Sequence, residues 1–488
     1  MLISNRALFW VLLFSVLSVW SHWNLFTTGV YALGVNATLF WMGIAVCLYL
    51  TDSSYRIKHD WPWLIPLILI GVSFSLYENP WMKLISLLLL PIAVGIFVSY
   101  SQMQNRKQIL WNAQMVLLLW QRLFKPIISF GEVAKSLFHR TILKDEGVQK
   151  GFAKRVTQGV LLLIPLGAGV ILLLSSADDA FSQAVSQVLD NLFRVVNWTT
   201  LSKLCLSFFL SVLLLAMRLR WSEMTKPRQL VGPPAPVDGV IAGIVLSGLL
   251  SIYVVFLYLQ LDHLVIGTLP ELYWEAERMV KSGFWQLFVL AILNTALFFI
   301  VYKKTGQTAQ VVLKIFIVAS SLLMVSAAWK VWLYSYTFGF SYEKYFALYT
   351  ALFGLGVLMY LIVASFARAR QNVVRVIVFA ALWGYGVATV TPVEKIIFHA
   401  NVYLAKQDNT RIVLNQLTQL SIDILPDVNA IGVENLSVNP SDIHRWGMWK
   451  WDLLKQRCTR PWYEQNLATI NSCVKKINVG YTKLTYSF

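Results

Sequence analysis

The chain is a succession of long apolar stretches separated by short polar segments. Val156–Phe181 shows the pattern most clearly, because it follows a basic run ending at Arg155, stays apolar along most of its length and leaves through Asp178 and Asp179. A helix needs about 20 apolar residues to cross the hydrocarbon core of a bilayer. Lys and Arg collect on the cytoplasmic side of membranes. The stretch is therefore predicted to be a transmembrane helix with its basic end in the cytoplasm and its acidic end outside.

About eleven stretches of this kind predict an all-α fold, a polytopic helical membrane bundle. The predicted spans are Ala7–Trp20, Gly29–Leu50, Trp61–Tyr77, Trp81–Tyr100, Val156–Ser175, Thr200–Met217, Val240–Gln260, Phe284–Val301, Val311–Tyr334, Tyr345–Ala367 and Val376–Thr391. Loops rich in Lys and Arg alternate with more acidic loops, as the positive-inside rule requires. An odd number of spans then places the N-terminus in the cytoplasm and the C-terminus outside.

The order of the spans divides the chain into four regions. Residues 1–100 form an N-terminal membrane region with four spans, and residues 101–155 form a basic cytoplasmic loop. Residues 156–391 form a core with seven spans, and residues 392–488 form a small extracytoplasmic helical domain. Within the basic loop, Ile109–Phe124 is too short and interrupted to cross the membrane comfortably, and its Trp and Arg residues suit a helix that lies in the membrane interface.

Shorter helices are predicted outside the membrane. Pro270 suits the first position of a short helix that precedes the span Phe284–Val301. In the C-terminal region Val393–Ala405 and Ile412–Ile424 are amphipathic, and Pro426 is expected to end the second of these helices. Two more short helices are predicted at Arg445–Gln456 and Pro461–Cys473.

Composition agrees with a membrane protein and explains the charge. The chain of 488 residues is 57% hydrophobic, with a mean hydropathy of +0.61, which lies outside the range of soluble globular domains. Its net charge of +17 could indicate nucleic-acid binding. However, most of the excess Lys and Arg falls in the predicted cytoplasmic loops, where it indicates the orientation of the chain in the membrane. Nucleic acid is therefore not an expected partner.

Ionisable or amide side chains inside spans are the first places to look for function in such a protein. No Asp or Glu falls in the middle of a predicted span. This absence disfavours a proton- or sodium-coupled transporter. Asn36 and Asn294 are amides expected in mid-span, and each is interpreted first as an interhelical hydrogen bond and second as a substrate ligand.

Carboxylates in the predicted outer loops are the remaining candidates for chemistry. An enzyme acting on a lipid-linked substrate would need Asp178, Asp179 and Glu275 to converge in one cleft. The sequence contains no phosphate-binding loop, no zinc-protease motif and no nucleophile elbow, and its six histidines are scattered. We therefore predict no catalytic residues, no metal site and no cofactor, and a non-enzymatic protein is favoured.

Cys458 and Cys473 form the one constellation of residues that a simple chemical test can address. An external C-terminal region lies in an oxidising compartment, where two nearby cysteines tend to pair. Closing a loop of about 15 residues is worth about 3 kcal/mol in chain-entropy models. The alternative is two free thiols, which applies if the predicted number of spans is wrong by one.

Several stretches in a fixed order resemble a known family. They are LLSSADDAF, YWEAERMVKSGFWQLF, YTFGFSYEKYFALYTALFG, and NVYLAKQDN followed by LTQLSIDILPDV. Between about Gly159 and Val428 the chain is similar to the bacterial polytopic membrane proteins grouped as domain of unknown function 4173, with its sister family 4153. That family usually has Asp-Pro where this chain has Asp178-Asp179, and an arginine where it has Lys344. It usually has Leu-Ser-x-Asp-Ala-Val-Pro where this chain has Leu420–Pro426, so that Leu420, Ser421, Asp423 and Pro426 match and Ile424 and Leu425 differ. The resemblance implies a bacterial cytoplasmic membrane and no established activity, so Lys344 joins Asn294 and the outer carboxylates only as a possible functional position.

Three functions stay open from sequence. The first is a non-enzymatic envelope sensor or scaffold, embedded in the lipid bilayer, that contacts an envelope protein through its C-terminal domain and outer loops. The second is a transporter of a lipid or small solute, for which a continuous polar cavity lined by Asn294 or Asn36 is expected. The third is a membrane enzyme that acts on a lipid-linked substrate.

Overall fold

The structure is a computed structural model that describes residues 5–51, 57–102, 113–135, 198–223, 243–252, 272–302, 306–366, 373–407, 419–431 and 440–478, with a few isolated positions between them. Within these ranges it is helical and contains no strand. The helices are α1 (Asn5–Ser21), α2 (Leu25–Thr28), α3 (Val35–Thr51), α4 (Ile57–Leu76), α5 (Pro80–Gln102), α6 (Ala113–Ile128), α7 (Trp198–Glu223), α8 (Gly243–Ile252), α9 (Tyr273–Val301), α10 (Gln307–Phe338), α11 (Tyr342–Phe366), α12 (Val373–Val390), α13 (Val393–Leu404), α14 (Leu425–Ile431), α15 (Pro440–Cys458) and α16 (Leu467–Asn478).

Seven helical segments in the described part of the chain are long and apolar enough to cross a membrane. They are Leu8–Ala32, Pro80–Val98, Trp198–Met217, Tyr273–Phe299, Ala309–Phe338, Tyr342–Phe366 and Val373–Val390. Shorter apolar helices cover Val35–Val46, Trp61–Leu76 and Gly243–Ile252. The predicted span Val156–Ser175 lies outside the described residues. The described residues are therefore all-α and include seven segments suited to crossing a membrane, and the count of eleven spans stays a prediction.

Helices α9, α10 and α11 pack side by side around one hydrophobic core. Buried side chains such as Phe284, Phe316 and Leu358 interlock along its length. Asn294 donates a hydrogen bond of 2.6 Å to Ser320 Oγ, so its amide links α9 to α10. This is the interhelical role expected for Asn294 in preference to ligand binding.

A second group of helices contains α3, α4, α5 and α12. Pro66 lies inside α4 and has no N–H to offer the carbonyl of Pro62, one turn earlier. The indole of Trp383 in α12 supplies the missing donor at 2.9 Å. Next to it, Gly386 lies so close to Pro66 that an added Cβ would be 3.2 Å from the proline backbone. The helix turn of α4 that lacks one backbone hydrogen bond is thus the place where α4 and α12 pack against each other.

Helix α6 overlaps the stretch predicted to lie in the membrane interface. It begins at Ala113 and packs against α5 and α7. Trp120, Ile127 and Ile128 form its exposed apolar surface, whereas Arg122 is buried. A strongly amphipathic helix of this kind suits an interfacial position, and that position stays a prediction.

The placement of Asn36 corrects the expectation of a mid-span amide. The predicted span Gly29–Leu50 is broken, because Gly29–Ala32 is a 3-10 turn and α3 begins only at Val35. Asn36 therefore lies in the first turn of α3. Its Nδ2 donates to Ser21 O and Ala32 O, and its Oδ1 accepts from Gly34 N–H, at 2.8–2.9 Å. The amide satisfies backbone groups that the break would otherwise leave unpaired.

The predicted start of the short helix at Pro270 lies outside the described residues, and the helix that follows is not separate from the span. Helix α9 begins at Tyr273 and continues without interruption to Val301. Its first turns are stabilised by an ion pair of 2.7 Å between Glu277 and Lys281, one turn apart. A single glycine at position 283 is too weak a helix breaker to separate these turns from the rest of the helix.

Pro426 begins a helix instead of ending one. Most of the predicted helix Ile412–Ile424 lies outside the described residues, and Ile422–Ile424 is a 3-10 turn. Pro426 lies in the first turn of α14. Backbone N–H groups in the first turn of a helix have no intrahelical acceptor, so the absence of an N–H in proline costs no hydrogen bond there.

The C-terminal segments pack against the N-terminal helices. Asn24 Nδ2 donates a hydrogen bond of 2.7 Å to Glu464 Oε1, and Val35 N–H donates one of 3.2 Å to Gln465 O. An added Cβ at Gly34 would be only 2.3 Å from the carbonyl oxygen of Gln465. These contacts join residues more than four hundred positions apart, and the division into four regions stays a prediction.

Candidate functional site

A buried group of charged and polar side chains lies where the C-terminal segments meet the membrane helices. We call it the junction cluster, and it consists of Glu78, Lys83, Glu394, Ser421, Asp423, Lys450, Arg457 and Asn466. These residues come from the α4–α5 turn, α5, α13, the 3-10 turn before α14, α15 and the start of α16. Charged side chains are almost never buried unless they are paired. Their joint burial marks the cluster as the principal polar feature of the described fold.

Glu78 is the centre of the junction cluster. Its carboxylate is 3.3 Å from Lys83 Nζ and 3.2 Å from Arg457 Nη1, and it accepts a hydrogen bond from Asn466 Nδ2. The contact with Arg457 is an ion pair and not a well-aligned hydrogen bond, because Oε1 has no donor in hydrogen-bonding geometry. One buried carboxylate thus compensates two buried cations, one from the membrane helices and one from the C-terminal region.

Local sequence holds Glu78 in this position. Asn79 caps the N-terminus of α5 by accepting a hydrogen bond of 3.1 Å from Met82 N–H, and Pro80 is the first residue of the helix. Lys83, one turn into α5, donates to Leu33 O as well as to Glu78. The ammonium group therefore links α5 to the non-helical residues that precede α3.

Glu394, Ser421 and Asp423 form the other half of the junction cluster. Ser421 donates to Glu394 Oε2 through both its hydroxyl and its backbone N–H, the latter at 3.1 Å. Asp423 Oδ2 accepts a hydrogen bond of 2.7 Å from Glu78 N–H. Glu394 Oε1 and Asp423 Oδ1 are buried and have no hydrogen-bond partner among the described residues.

Burial raises the pKa of both carboxyls above the ordinary range. For Glu394 the nearby charge of Asp423 adds to the effect of burial, and hydrogen bonds from Ser421 oppose it. For Asp423 the hydrogen bond from Glu78 N–H opposes the effect of burial. Burial also lowers the pKa of Lys450, against the attraction of both carboxylates. The Lys450 ammonium donates to Leu420 O, which keeps it beside the pair.

The raised pKa values predict that stability falls as pH rises through the neutral range. Between the ordinary carboxyl pKa of about 4 and the raised values, the folded protein holds more protons than the unfolded chain. Each such proton gives a slope of about 1.4 kcal/mol per pH unit. Glu78, Lys83 and Lys450 face the carboxyls. The lowered pKa of Lys450 acts with the opposite sign, in the window between its lowered value and its ordinary value.

Thermal unfolding of the full chain between pH 5 and pH 8, followed by tryptophan fluorescence, measures this slope. We expect the Glu394→Gln variant to show a flatter profile and to exceed the wild type in stability at pH 8. An unchanged profile in this variant would contradict the assignment of the titrating group.

The junction cluster borders a pocket between the ends of α4, α5 and α12. Ser73, Tyr77, Thr389 and Thr391 contribute hydroxyl groups to its wall, and Glu394 and Asp423 contribute carboxyls. In the described part of the chain, no three His, Cys, Asp or Glu side chains lie together in a way that could hold a metal ion. Asn79, Lys83 and Lys395 also line the pocket, so its wall can exchange protons and can both accept and donate hydrogen bonds.

The candidates from sequence that the structure describes lie elsewhere. Glu275 is exposed on α9, and Asp178 and Asp179 lie outside the described residues, so their convergence stays a prediction. Lys344 is buried, donates a hydrogen bond of 2.7 Å to Gly339 O and lies 3.9 Å above the ring of Tyr334. Asn294 contacts Ser320 in the core of α9–α11. None of Glu275, Lys344 and Asn294 contributes to the junction cluster.

The two tail cysteines are joined in the structure, next to the junction cluster. The sulfur atoms of Cys458 and Cys473 are 1.99 Å apart, and the bridge links α15 to α16. Arg457 and Asn466, which both contact Glu78, lie within the two segments that the bridge ties together. The disulfide can thus hold Arg457 and Asn466, two partners of Glu78, at a fixed distance from each other.

Sequence reasoning missed the junction cluster because it treated Glu78, Glu394 and Asp423 as loop or tail charges. One signal was present. The family pattern Leu-Ser-x-Asp falls on Leu420–Asp423, and its serine and aspartate are the residues that join Glu394 to the α4–α5 turn.

Comparison with known families gives the affiliation. The model of the family described as Domain of unknown function (DUF4153) matches residues 64–431, three quarters of the chain. The chain belongs to this family. It is the sister of the family first suggested by the sequence motifs. No curated protein and no solved structure matches the chain.

The DUF4153 match covers only part of the junction cluster. Glu78, Lys83, Glu394 and Asp423 lie inside the matched residues. Lys450, Arg457 and Asn466, together with the disulfide, lie beyond residue 431. The carboxyl pair and its pocket therefore belong to the family region, whereas two of the three cations and the amide come from the chain after that region.

Proposed function

We propose that this DUF4153 protein is a non-enzymatic sensor or scaffold of the bacterial cell envelope. In this proposal it spans the cytoplasmic membrane with its N-terminus in the cytoplasm, and its C-terminal segments present a surface for an envelope protein outside. The observation that carries the proposal is the junction cluster, which ties the C-terminal segments to the ends of membrane helices through buried ion pairs. Such a connection transmits a force or displacement on the outer surface to the helices.

Exposed aromatic side chains support a partner-binding role for the C-terminal segments. Trp449 on α15 and Trp462 in the turn before α16 are 56% and 67% exposed. Large aromatic side chains are enriched at protein interfaces, where they supply much of the binding energy. A partner that covers these two rings would act directly on the segments that hold Arg457 and Asn466.

The orientation is tested with the two tail cysteines. In a Cys47→Ser, Cys205→Ser background, intact cells are treated with a membrane-impermeant maleimide, with and without reductant. We expect labelling only after reduction, which requires an external tail closed by a disulfide. Labelling only after cell lysis would place the tail in the cytoplasm and would end the proposal.

The partner is tested by photo-crosslinking in cells. A photoreactive residue at position 449 or 462 is expected to give the same crosslinked product, and a residue at the exposed membrane-helix position 366 is not. The product should weaken in the Glu78→Ala variant, in which the C-terminal segments lose their anchor. Equal products from positions 366 and 449, or none from 449 and 462, would contradict the proposal.

A transporter of a lipid or small solute is the second candidate. The pocket lined by Glu394 and Asp423 favours it, because raised carboxyl pKa values suit proton exchange with a bound solute. The pocket wall includes neither Asn36 nor Asn294, the amides that a continuous cavity was expected to expose. Uptake of radiolabelled solute that is lost in Glu394→Gln would favour transport over the sensor or scaffold.

A further inference from the structure

The disulfide between Cys458 and Cys473 closes a loop that contacts the N-terminal helices. We call residues 458–473 the disulfide loop. Four of its residues form hydrogen bonds to the chain between α1 and α3 or to Glu78: Arg460 donates to Tyr31 O at 2.8 Å, Glu464 accepts from Asn24 Nδ2 at 2.7 Å, Gln465 O accepts from Val35 N–H at 3.2 Å, and Asn466 donates to Glu78. The bridge therefore constrains a segment through which the C-terminal region is docked on the N-terminal helices.

These docking contacts are made by polar groups. Hydrogen bonds and buried ion pairs contribute little net free energy to docking, because water offers comparable partners to the separated groups. The hydrophobic clusters of the described residues do not join the two sides. Cys458 and Cys473 pack with apolar side chains of the C-terminal segments, namely Ile422, Leu425 and Leu454, and the cluster around α3, α4 and α5 contains none of them. Docking therefore depends on polar groups that are held in the correct arrangement before they meet the helices.

The bridge supplies this arrangement. A chain segment that leaves the helices gains conformational freedom, and a covalent closure removes much of that freedom. The two cysteines are 15 positions apart in sequence. In chain-entropy models, closing a loop of this length shifts the equilibrium toward the ordered state by about a hundredfold. Without the bridge, α16 and the turn Trp462–Glu464 can move away from α15, which separates Asn466 from Arg457.

A thiolate can reach the bridge from solution. Cys458 and Cys473 are both partly exposed. One thiolate of a dithiol attacks a sulfur of the bridge and forms a mixed disulfide, and the second thiolate of the same dithiol then releases the protein. Two electrons and two protons pass from the dithiol to the two cysteines. The protein then carries two thiols, and the reductant has become a disulfide.

We propose that the Cys458–Cys473 bridge is a redox switch for the docking of the disulfide loop. The loop is docked on Glu78 and on the chain before α3 when the bridge is closed, and reduction by a dithiol releases it. Contacts outside the loop stay in place, such as the hydrogen bond of 2.7 Å from Glu78 N–H to Asp423. The switch rests on the proposed function only in its need for an oxidising compartment, in which the bridge forms. It requires no partner protein.

The test is amide hydrogen exchange of the purified full-length protein in nanodiscs, before and after treatment with dithiothreitol. A Cys47→Ser, Cys205→Ser background leaves the bridge as the only target of the reductant. The amide of Val35 reports docking directly, because it donates to Gln465 O. We expect its segment to exchange about a hundredfold faster after reduction, and to recover after reoxidation with oxidised glutathione. Helices α9–α11 are the internal control and should not change.

A variant without the bridge locates the effect. Cys458→Ser combined with Cys473→Ser should show the fast exchange at Val35 with and without dithiothreitol. Unchanged exchange at Val35 after complete reduction, verified by mass spectrometry of the alkylated thiols, overturns the proposal. So does a uniform increase that includes α9–α11, or a bridge that is reduced only when the whole protein unfolds, because both describe a structural disulfide. If the double variant does not fold, reversibility in the protein with both cysteines decides. No partner protein is present, so failure here leaves the orientation and crosslinking tests of the proposed function unaffected.

Discussion

Replacing Glu78 by alanine is expected to lower the free energy of unfolding by about 3–5 kcal/mol, the cost of removing one partner from a buried ion pair. The substitution leaves Lys83 and Arg457, 3% and 7% exposed, without the carboxylate that compensates them. It also removes the acceptor for Asn466. Two cations and an amide would then remain buried, and the C-terminal segments would separate from the α4–α5 turn.

Denaturant unfolding in detergent, followed by tryptophan fluorescence, measures the loss, and limited proteolysis of α15 and α16 shows where it occurs. The matched control is Asp452→Asn, because Asp452 pairs with Lys455 at 3.1 Å on an exposed face of α15. Exposed pairs contribute about 0–1 kcal/mol. A Glu78 variant as stable as the Asp452 variant would show that the junction cluster does not hold the C-terminal segments to the α4–α5 turn.

Gly34→Ala is expected to cost about 1–3 kcal/mol or more, because the new methyl group has no space. A Cβ at this position would lie 2.3 Å from Gln465 O and 2.5 Å from Glu464 O. Both are backbone atoms, so the clash is removed only if the turn Trp462–Glu464 moves away from α3. That movement would also break the hydrogen bonds from Val35 N–H to Gln465 O and from Asn24 to Glu464.

Gly71→Ala is the control for Gly34→Ala. Gly71 lies inside α4, and an added Cβ would have its nearest contact at 3.8 Å, the ordinary distance for packed carbon atoms. Alanine also favours a helix by up to about 1 kcal/mol over glycine. Thermal midpoints should therefore fall for position 34 and stay level or rise for position 71. The reverse order would contradict the close contact between α3 and the C-terminal turn.

The helical membrane fold was predictable because its signal is local. A run of apolar residues and the charges that flank it are enough to place a spanning helix, and this succeeded for α5, α7 and α10. Breaks inside an apolar run were harder to foresee. The 3-10 turn before α3 consists of ordinary apolar residues, so hydropathy gave no sign that Asn36 would begin a helix. Pro426 shows the same limit, since proline both ends and begins helices and its neighbours decide which.

The junction cluster was not predictable because its contacts join distant parts of the chain. Glu78 and Asp423 are 345 positions apart, and Asn24 and Glu464 are 440 apart. Seen locally, each of these residues has the surroundings of an exposed loop, and exposed charge is the common outcome for loop carboxylates. The pairing of Cys458 and Cys473 was easier to predict, because only 15 positions separate the two residues in sequence.

Glu78, at the end of the membrane helices, is coupled directly to Arg457 in the C-terminal region. A double-mutant cycle with Glu78→Gln and Arg457→Met measures this coupling, with free energies of unfolding for the wild type, both single variants and the double variant. We predict that the double variant is less destabilised than the sum of the single variants by about 1.5–3 kcal/mol, as for groups in one buried network. Additivity within about 0.5 kcal/mol, the behaviour of independent sites, would contradict the account.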